Sequence, residues 1–151
     1  MSLLTILTAP DPRLTKVADP VEAVTDEIRQ LMDDMLETMY ANDGMGLAAN
    51  QVGILKRIVV MDIHAGDSNM PAKPLKMANP EIIWRSEETV RQIEACLSVP
   101  GQRGEVERSA RVKVRFLDEN NISREMEADE IFAICLQHEI NHLDGILYID
   151  H

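Results

Sequence analysis

Apolar residues recur at helical spacing early in the chain: Ile28, Leu31, Met32, Met35, Leu36 and Met39 share one face of a segment from about Thr25 to Tyr40. Asp26 and Glu27 sit at its start, where acidic side chains suit the positive end of a helix. The pattern then changes period. "RIVVMDI" (57 to 63) and "EIIWR" (81 to 85) read as strands from their β-branched and aromatic content, with a Gly, Asn and Pro-rich surface loop at 64 to 74 between them. In "ARVKVRF", Val112, Val114 and Phe116 alternate with Arg111, Lys113 and Arg115, which predicts a half-exposed strand turning through "DENN" into a partner at Ile122 to Met126.

A last helix is predicted from near Asp129, a capping residue, to just before Gly145, a helix stop. Ile131, Phe132, Ala133, Ile134, Cys135 and Leu136 make its first half apolar nearly all round, which predicts burial in the middle of the domain. Helix, strands, hairpin and buried helix add up to an α+β fold.

At 151 residues the chain has the length of one domain, and no internal repeat or low-complexity tract divides it. Aromatics make up only 3% of residues against 45% hydrophobic, so the core must be built from aliphatic side chains and from nine methionines. A formal charge of -11 argues against a broad phosphate-binding surface, and so against direct nucleic-acid binding. The N-terminal apolar run has no basic lead-in and is broken by Thr5, Thr8 and Pro10, unlike a secretory signal. No segment reaches the roughly 20 apolar residues that cross a bilayer. Two cysteines in such a chain favour a thiol role over a structural disulfide, with the cytosol as the expected compartment.

The chemistry concentrates in "QHEINHLDG", 137 to 145. On a helix His138 and His142 are neighbours four residues apart, so two imidazoles can converge on one metal ion. Glu139 lies about 100° round from His138 and about 60° from His142, placing it over the ion without ligating it. Burying these groups among apolar neighbours is costly unless something pairs them. A catalytic site needs a third protein ligand and an open position. The candidates are Cys96, Cys135, His64, His151 and distant acids, and local spacing alone does not separate the two thiols. Cys135 has core neighbours and suits a small buried hydrophobe, whereas Cys96 is flanked by Glu94, Ser98, Pro100 and Gly101.

A third stretch, "GMGLAANQVG" (44 to 53), imitates a dinucleotide fingerprint, but it follows a helix where that motif must follow a strand. Its glycines instead suit backbone that comes close to something, with the Gln51 amide as a donor.

Taken together, "GMGLAANQ" (44 to 51), "EACLS" (94 to 98) and "QHEINH" (137 to 142) resemble, in this order, the GxGxAAxQ, EGCLS and QHExDH motifs of the peptide deformylases. The resemblance spans nearly the whole chain. It implies antiparallel strands packed around a central buried helix carrying HExxH, with an N-terminal helix, in a single catalytic domain over 1–151. It implies Cys96, His138 and His142 as metal ligands, Glu139 as general acid/base, and Gln51 and the Leu97 amide as oxyanion donors. Gly46 and the Ala95 carbonyl would pair with a substrate strand. Met45, Ile131, Ile134 and Cys135 would line a methionine pocket, and Arg103 would lie near the second side chain.

The implied activity is hydrolytic removal of the N-formyl group from the formyl-methionine of newly made polypeptides, releasing formate. The implied cofactor is one divalent ion per chain, Fe(II) in vivo, with Zn(II), Ni(II) or Co(II) as substitutes. The implied partners are nascent polypeptide N-termini and, transiently, the ribosome, for a monomer in the bacterial cytosol or an organelle matrix.

Three departures stand out. Ala95 replaces the glycine of EGCLS, Asn141 replaces the aspartate of HExDH, and the chain stops at "ILYIDH", where many bacterial relatives continue into a C-terminal helix. It is therefore expected to be a short or a truncated form. They leave one alternative, a deformylase-like metal-binding domain with weak or altered activity on another N-acylated substrate; an ordinary HExxH peptidase is a weaker reading, since its third ligand usually lies further along and no His or Glu follows His142 except His151.

Overall fold

The computed structural model describes residues 3–65, 69 and 71–147. The predicted first helix is α1, Asp26–Ala41, and Thr25 caps it by accepting from the Ile28 amide at 3.3 Å. Its stripe, including Ile28, Met32, Met35, Leu36 and Met39, is buried.

The strands are β1 (Gly46–Ala48), β2 (Ile58–Met61), β3 (Leu75–Arg85), β4 (Thr89–Cys96), β5 (Val99–Ser109), β6 (Arg111–Leu117) and β7 (Ser123–Asp129). Five form an antiparallel sheet in the order β1-β2-β3-β6-β7, and β4 and β5 form a separate two-stranded sheet. All four residues of β2 are buried. Ile58 and Val60 join the core beneath α1, while Val59 and Met61 join the core beneath the last helix, α2 (Glu130–Leu143). Burial on both faces explains why this strand reads as a continuous apolar run.

The predicted hairpin is β6–β7, paired Val112↔Ala128, Val114↔Met126 and Phe116↔Arg124, with Val112, Val114 and Phe116 buried as their alternation required. The strand expected at 81 to 85 is the end of a longer one. Asn79, at φ 51, and the register shift between Ala78 and Glu81 hid its first half. The β4–β5 hairpin had no visible pattern because most of both strands is exposed. Of the loop expected at 64 to 74, residues 66–68 and 70 lie outside the described residues.

Helix α2 differs from its prediction in two ways. Asp129 occupies the capping position, but its side chain makes no capping bond. The apolar first half is also less buried than the polar second half: Ile131 is exposed, whereas Gln137, His138, Glu139 and His142 are all buried. The first turns face a cavity, and the motif is set into the core. Gly145 ends the helix at φ +75, where a Cβ would also lie 2.6 Å from the Thr15 carbonyl oxygen. No helix among the described residues is long and apolar enough to cross a membrane.

Asp118 closes the β6–β7 turn, accepting from the Asn120 and Ile122 amides at 2.9 and 3.0 Å and from Arg124 Nε. Arg124's guanidinium, opposed by burial and helped by the two amides, holds this carboxyl below its ordinary value of 3.8. A carboxyl depressed by folding stabilises fully above its unfolded pKa and loses that contribution as pH falls through the folded one. Asp118→Asn keeps an acceptor for the amides and loses the ion pair. Its stability deficit in urea titrations is therefore expected to be largest near neutral pH and to shrink below pH 3.8.

Candidate metal centre and cavity

Three elements meet at one point. Cys96 ends β4, and the Leu97–Ser98 turn reverses the chain so that Cys96 pairs with Val99. His138 and His142 project from α2, with Nε2 atoms 3.2 Å apart, and Cys96 Sγ lies 3.3 Å from His142 Nε2. The ligand atoms of Cys96, His138 and His142 all fall within 4.8 Å of one another, and among the described residues this is the group able to hold a metal ion. Cys135, the other thiol candidate, is outside it. His64 bonds instead through Nδ1 to the Pro71 carbonyl at 2.9 Å, and His151 lies outside the described residues.

The donor set fits a divalent cation. Glu94 Oε1 lies 2.7 Å from His138 Nδ1. An ionised carboxylate can only accept, so Nδ1 carries a proton and Nε2 is the nitrogen that faces the cluster, where a bound ion would take the place of a second proton. Burial pushes the His138 imidazole down, but Cys96, Glu94 and Glu139 outweigh it and hold the group up to about 10. His142 is pushed well down by burial and by the His138 and Arg108 charges. The surroundings thus favour one positive charge at this point and oppose two. A thiolate and two imidazoles match a borderline-soft ion.

Glu94 is fixed in turn. Arg108, from β5, donates to it through Nε and Nη2, both at 2.9 Å, and through Nη1 to Asn141 Oδ1. Burial alone would raise the Glu94 carboxyl; Arg108 and His138 overcome it and bring it down to about 2. Sequence reasoning missed Glu94 and Arg108 as parts of the site. The readable signal was Arg108 in an inward position, two after buried Val106, on a strand whose Glu105 and Glu107 face out.

Gln51 is 1% exposed, at the end of a 3₁₀ turn, Ala49–Val52, that follows β1. Its Oε1 accepts from the Ala48 amide at 2.9 Å, and its Nε2 points at Ser98 Oγ, 3.1 Å, and Cys96 Sγ, 3.5 Å. The amide therefore faces the cluster. Glu139 is 4% exposed, and its Oε1 is buried with no hydrogen-bond partner. Burial first, then the Glu94 charge, raises its carboxyl to about 7 against the lowering effect of His138.

A cavity of about 810 Å³ opens beside the cluster, lined by Met45, Gly46, Gln51, Ala95, Cys96, Leu97, Ile131, Ile134, Cys135, His138 and Glu139. All the site residues expected from the sequence reach this cavity or the cluster except Arg103, which is exposed on β5 and outside the lining. Burial and the two nearby carboxylates push the Cys135 thiol well up, so it faces the cavity as a neutral, apolar group. Val90, Gln92 and Arg111 also line it and were not expected.

The family model for polypeptide deformylase matches residues 3–151. The chain belongs to that family. It is 51% identical to the peptide deformylase of Phenylobacterium zucineum, over the whole of this chain and 88% of the relative, and 51% identical to that of Rickettsia akari with the same coverage. The solved structure of the Ehrlichia chaffeensis peptide deformylase superposes with a TM-score of 0.93 at 42% identity, covering 99% of this chain and 87% of that one. A probable peptide deformylase from Synechococcus phage S-SSM7 matches at 0.91 and 43%, covering 97% and 98%. The Ehrlichia enzyme has also been solved in complex with actinonin, at the same TM-score and 44% identity. Family membership and the Cys/His/His geometry point to the same chemistry.

Because Glu94 and Arg108 are 7% and 5% exposed, removing Arg108 takes the guanidinium from a buried carboxylate that keeps only its bond to His138. Arg108→Leu is expected to lower unfolding free energy by about 3–5 kcal/mol. Arg91→Leu, which breaks exposed pairs to Glu105 and Glu107, should leave stability almost unchanged. Urea titrations of the two variants make the comparison.

Proposed function

We propose that this chain hydrolyses the N-formyl group of formyl-methionyl polypeptides, releasing formate and a free N-terminal amine. The observation that carries the reading is the convergence of Cys96, His138 and His142 on a cavity beside a buried, unpartnered Glu139. Residues 1–151 act as one catalytic unit on nascent N-termini in the bacterial cytosol, as a monomer that meets the ribosome transiently.

Cys96, His138 and His142 would hold one divalent ion, Fe(II) in the cell and replaceable by Zn(II), Ni(II) or Co(II). When bound, such an ion supplies Lewis acidity that acidifies water and polarises a carbonyl. The protein's own groups do the rest. Glu139, raised to about 7, takes a proton from the attacking water as its oxygen bonds to the formyl carbon. The Gln51 amide and the Leu97 N–H donate to the oxygen that gains charge. Glu139 then delivers its proton to the departing nitrogen as the C–N bond breaks, so water is divided between formate and the amine.

The substrate backbone would pair along two strand edges, at Gly46 on β1 and at Ala95 on β4. Among the described residues, neither edge has a strand partner on its cavity side. The first side chain enters between Met45, Ile131, Ile134 and Cys135, an apolar wall suited to an unbranched thioether. Arg103, outside the lining, takes no part in holding that first residue.

The reading is tested by metal analysis of anaerobically purified protein coupled to formate release from a formyl-Met peptide. Absence of release would favour a metal-binding domain without this activity, and internal cleavage an ordinary peptidase. Glu139→Gln is expected to keep its metal and fall to a low residual turnover, and Cys96→Ala to lose the metal. A metal-free Cys135→Ala would overturn the ligand assignment. Ala95→Gly should lower KM if the Ala95 methyl narrows the cleft, and an unchanged kcat/KM removes that effect.

A further inference from the structure

At the cavity wall β1 passes close to α2 at Gly46. A Cβ built on Gly46 would lie 2.6 Å from Glu139 Oε2, 3.0 Å from Glu139 Cγ and 3.0 Å from Cys135 Sγ. Gly46 is not among the residues with positive φ, so space, not backbone conformation, calls for glycine. Gly44 differs in what it faces: its Cβ would meet Leu97 Cδ1 at 2.8 Å, the end of an apolar side chain that can swing aside.

At Gly46 the atom that must move is a carboxylate oxygen. The strand is held by its pairing with β2, Gly46↔Met61, and Cys135 is a short side chain on a buried stretch of α2. The longer Glu139 side chain is the part free to yield. Its Oε1 makes no hydrogen bond, while its Oε2 and Cγ lie in the space that a Cβ on Gly46 would enter.

We propose that Gly46 is a positioning residue for Glu139: its bare Cα leaves the space in which the Glu139 carboxylate is held against β1. This role is separate from any backbone pairing with substrate. It rests on the reading of Glu139 as acid/base, because a displaced carboxylate matters only if it moves the proton. Misplacing a reacting group by about 1 Å can cost on the order of 10²-fold in rate.

The test is a double-mutant cycle on the metal-loaded enzyme: wild type, Gly46→Ala, Glu139→Gln and the double variant. Metal per chain, kcat and KM for a formyl-Met peptide are measured for each. Gly46→Ala is expected to retain its metal, to lose about a hundredfold in kcat with KM near wild type, and to cost nothing further in the Glu139→Gln background. A raised KM with kcat retained would mean that Gly46 acts through substrate pairing alone, and equal losses in both backgrounds would mean a general distortion; either overturns the proposal. Turnover of Glu139→Gln at the wild-type rate would instead sink the acid/base reading, an outcome separate from Gly46→Ala leaving kcat unchanged. Should Gly46→Ala fail to fold, the same comparison is made in Cys135→Ala, which removes the second contact. There, kcat equal to that of Cys135→Ala alone overturns the proposal.

Discussion

One buried carboxylate, Glu94, ties the site together. Its side chain takes two bonds from Arg108 and one from His138, so it joins β4 to β5 and both to α2. A lone carboxylate in this position would be expelled or protonated; with Arg108 it stays ionised, and an ionised Glu94 fixes which nitrogen of His138 carries the proton. The same strand places Cys96 two residues further on. One fork of hydrogen bonds thereby sets the position of the Cys96 thiol and the protonated nitrogen of His138. Asn141 completes the arrangement as a neutral acceptor for Arg108, leaving Glu94 as the carboxylate in direct contact with that guanidinium.

The rest of the fold brings α2 to this hairpin. Strand β2 is buried on both faces, by α1 on one side and α2 on the other; its own Met61 and the surrounding Met32, Met35, Met39 and Met77 are fully buried. Unbranched thioethers fill irregular space between aliphatic neighbours, which is how so few aromatic residues suffice. The result is a rigid wall for α2 and, at the end of β1, a strand edge that runs close enough to Glu139 to require a glycine.

Family membership explains why these parts occur together, and the physical arrangement explains how each works. Burial raises Glu139 towards the range where it can accept and return a proton, while the neighbouring Glu94, also buried, is driven the opposite way by its cation. Two buried carboxylates, one on β4 and one on α2, are therefore driven in opposite directions. One is held ionised beside His138, and in the proposed reaction the other would move the proton.

Much of this was legible in the sequence, because local physics encodes it. Helical periodicity located α1, alternation located the β6–β7 hairpin, and the four-residue spacing of His138 and His142 required their convergence. The composition anticipated the methionine-rich core. What depended on distant segments was not legible. The first half of β3 was masked by Asn79 and a bulge, and the β4–β5 hairpin carries too few buried positions to show a period. Residue spacing left Cys96 and Cys135 both open as ligands, since each is a thiol within reach of some arrangement of the chain. Only the packing of the hairpin against α2 put Cys96 Sγ beside His142, made Glu94 the partner of His138, and turned Cys135 towards the cavity. Periodicity is a property of neighbours along the chain; a three-donor cluster assembled across 46 residues is a property of the tertiary fold.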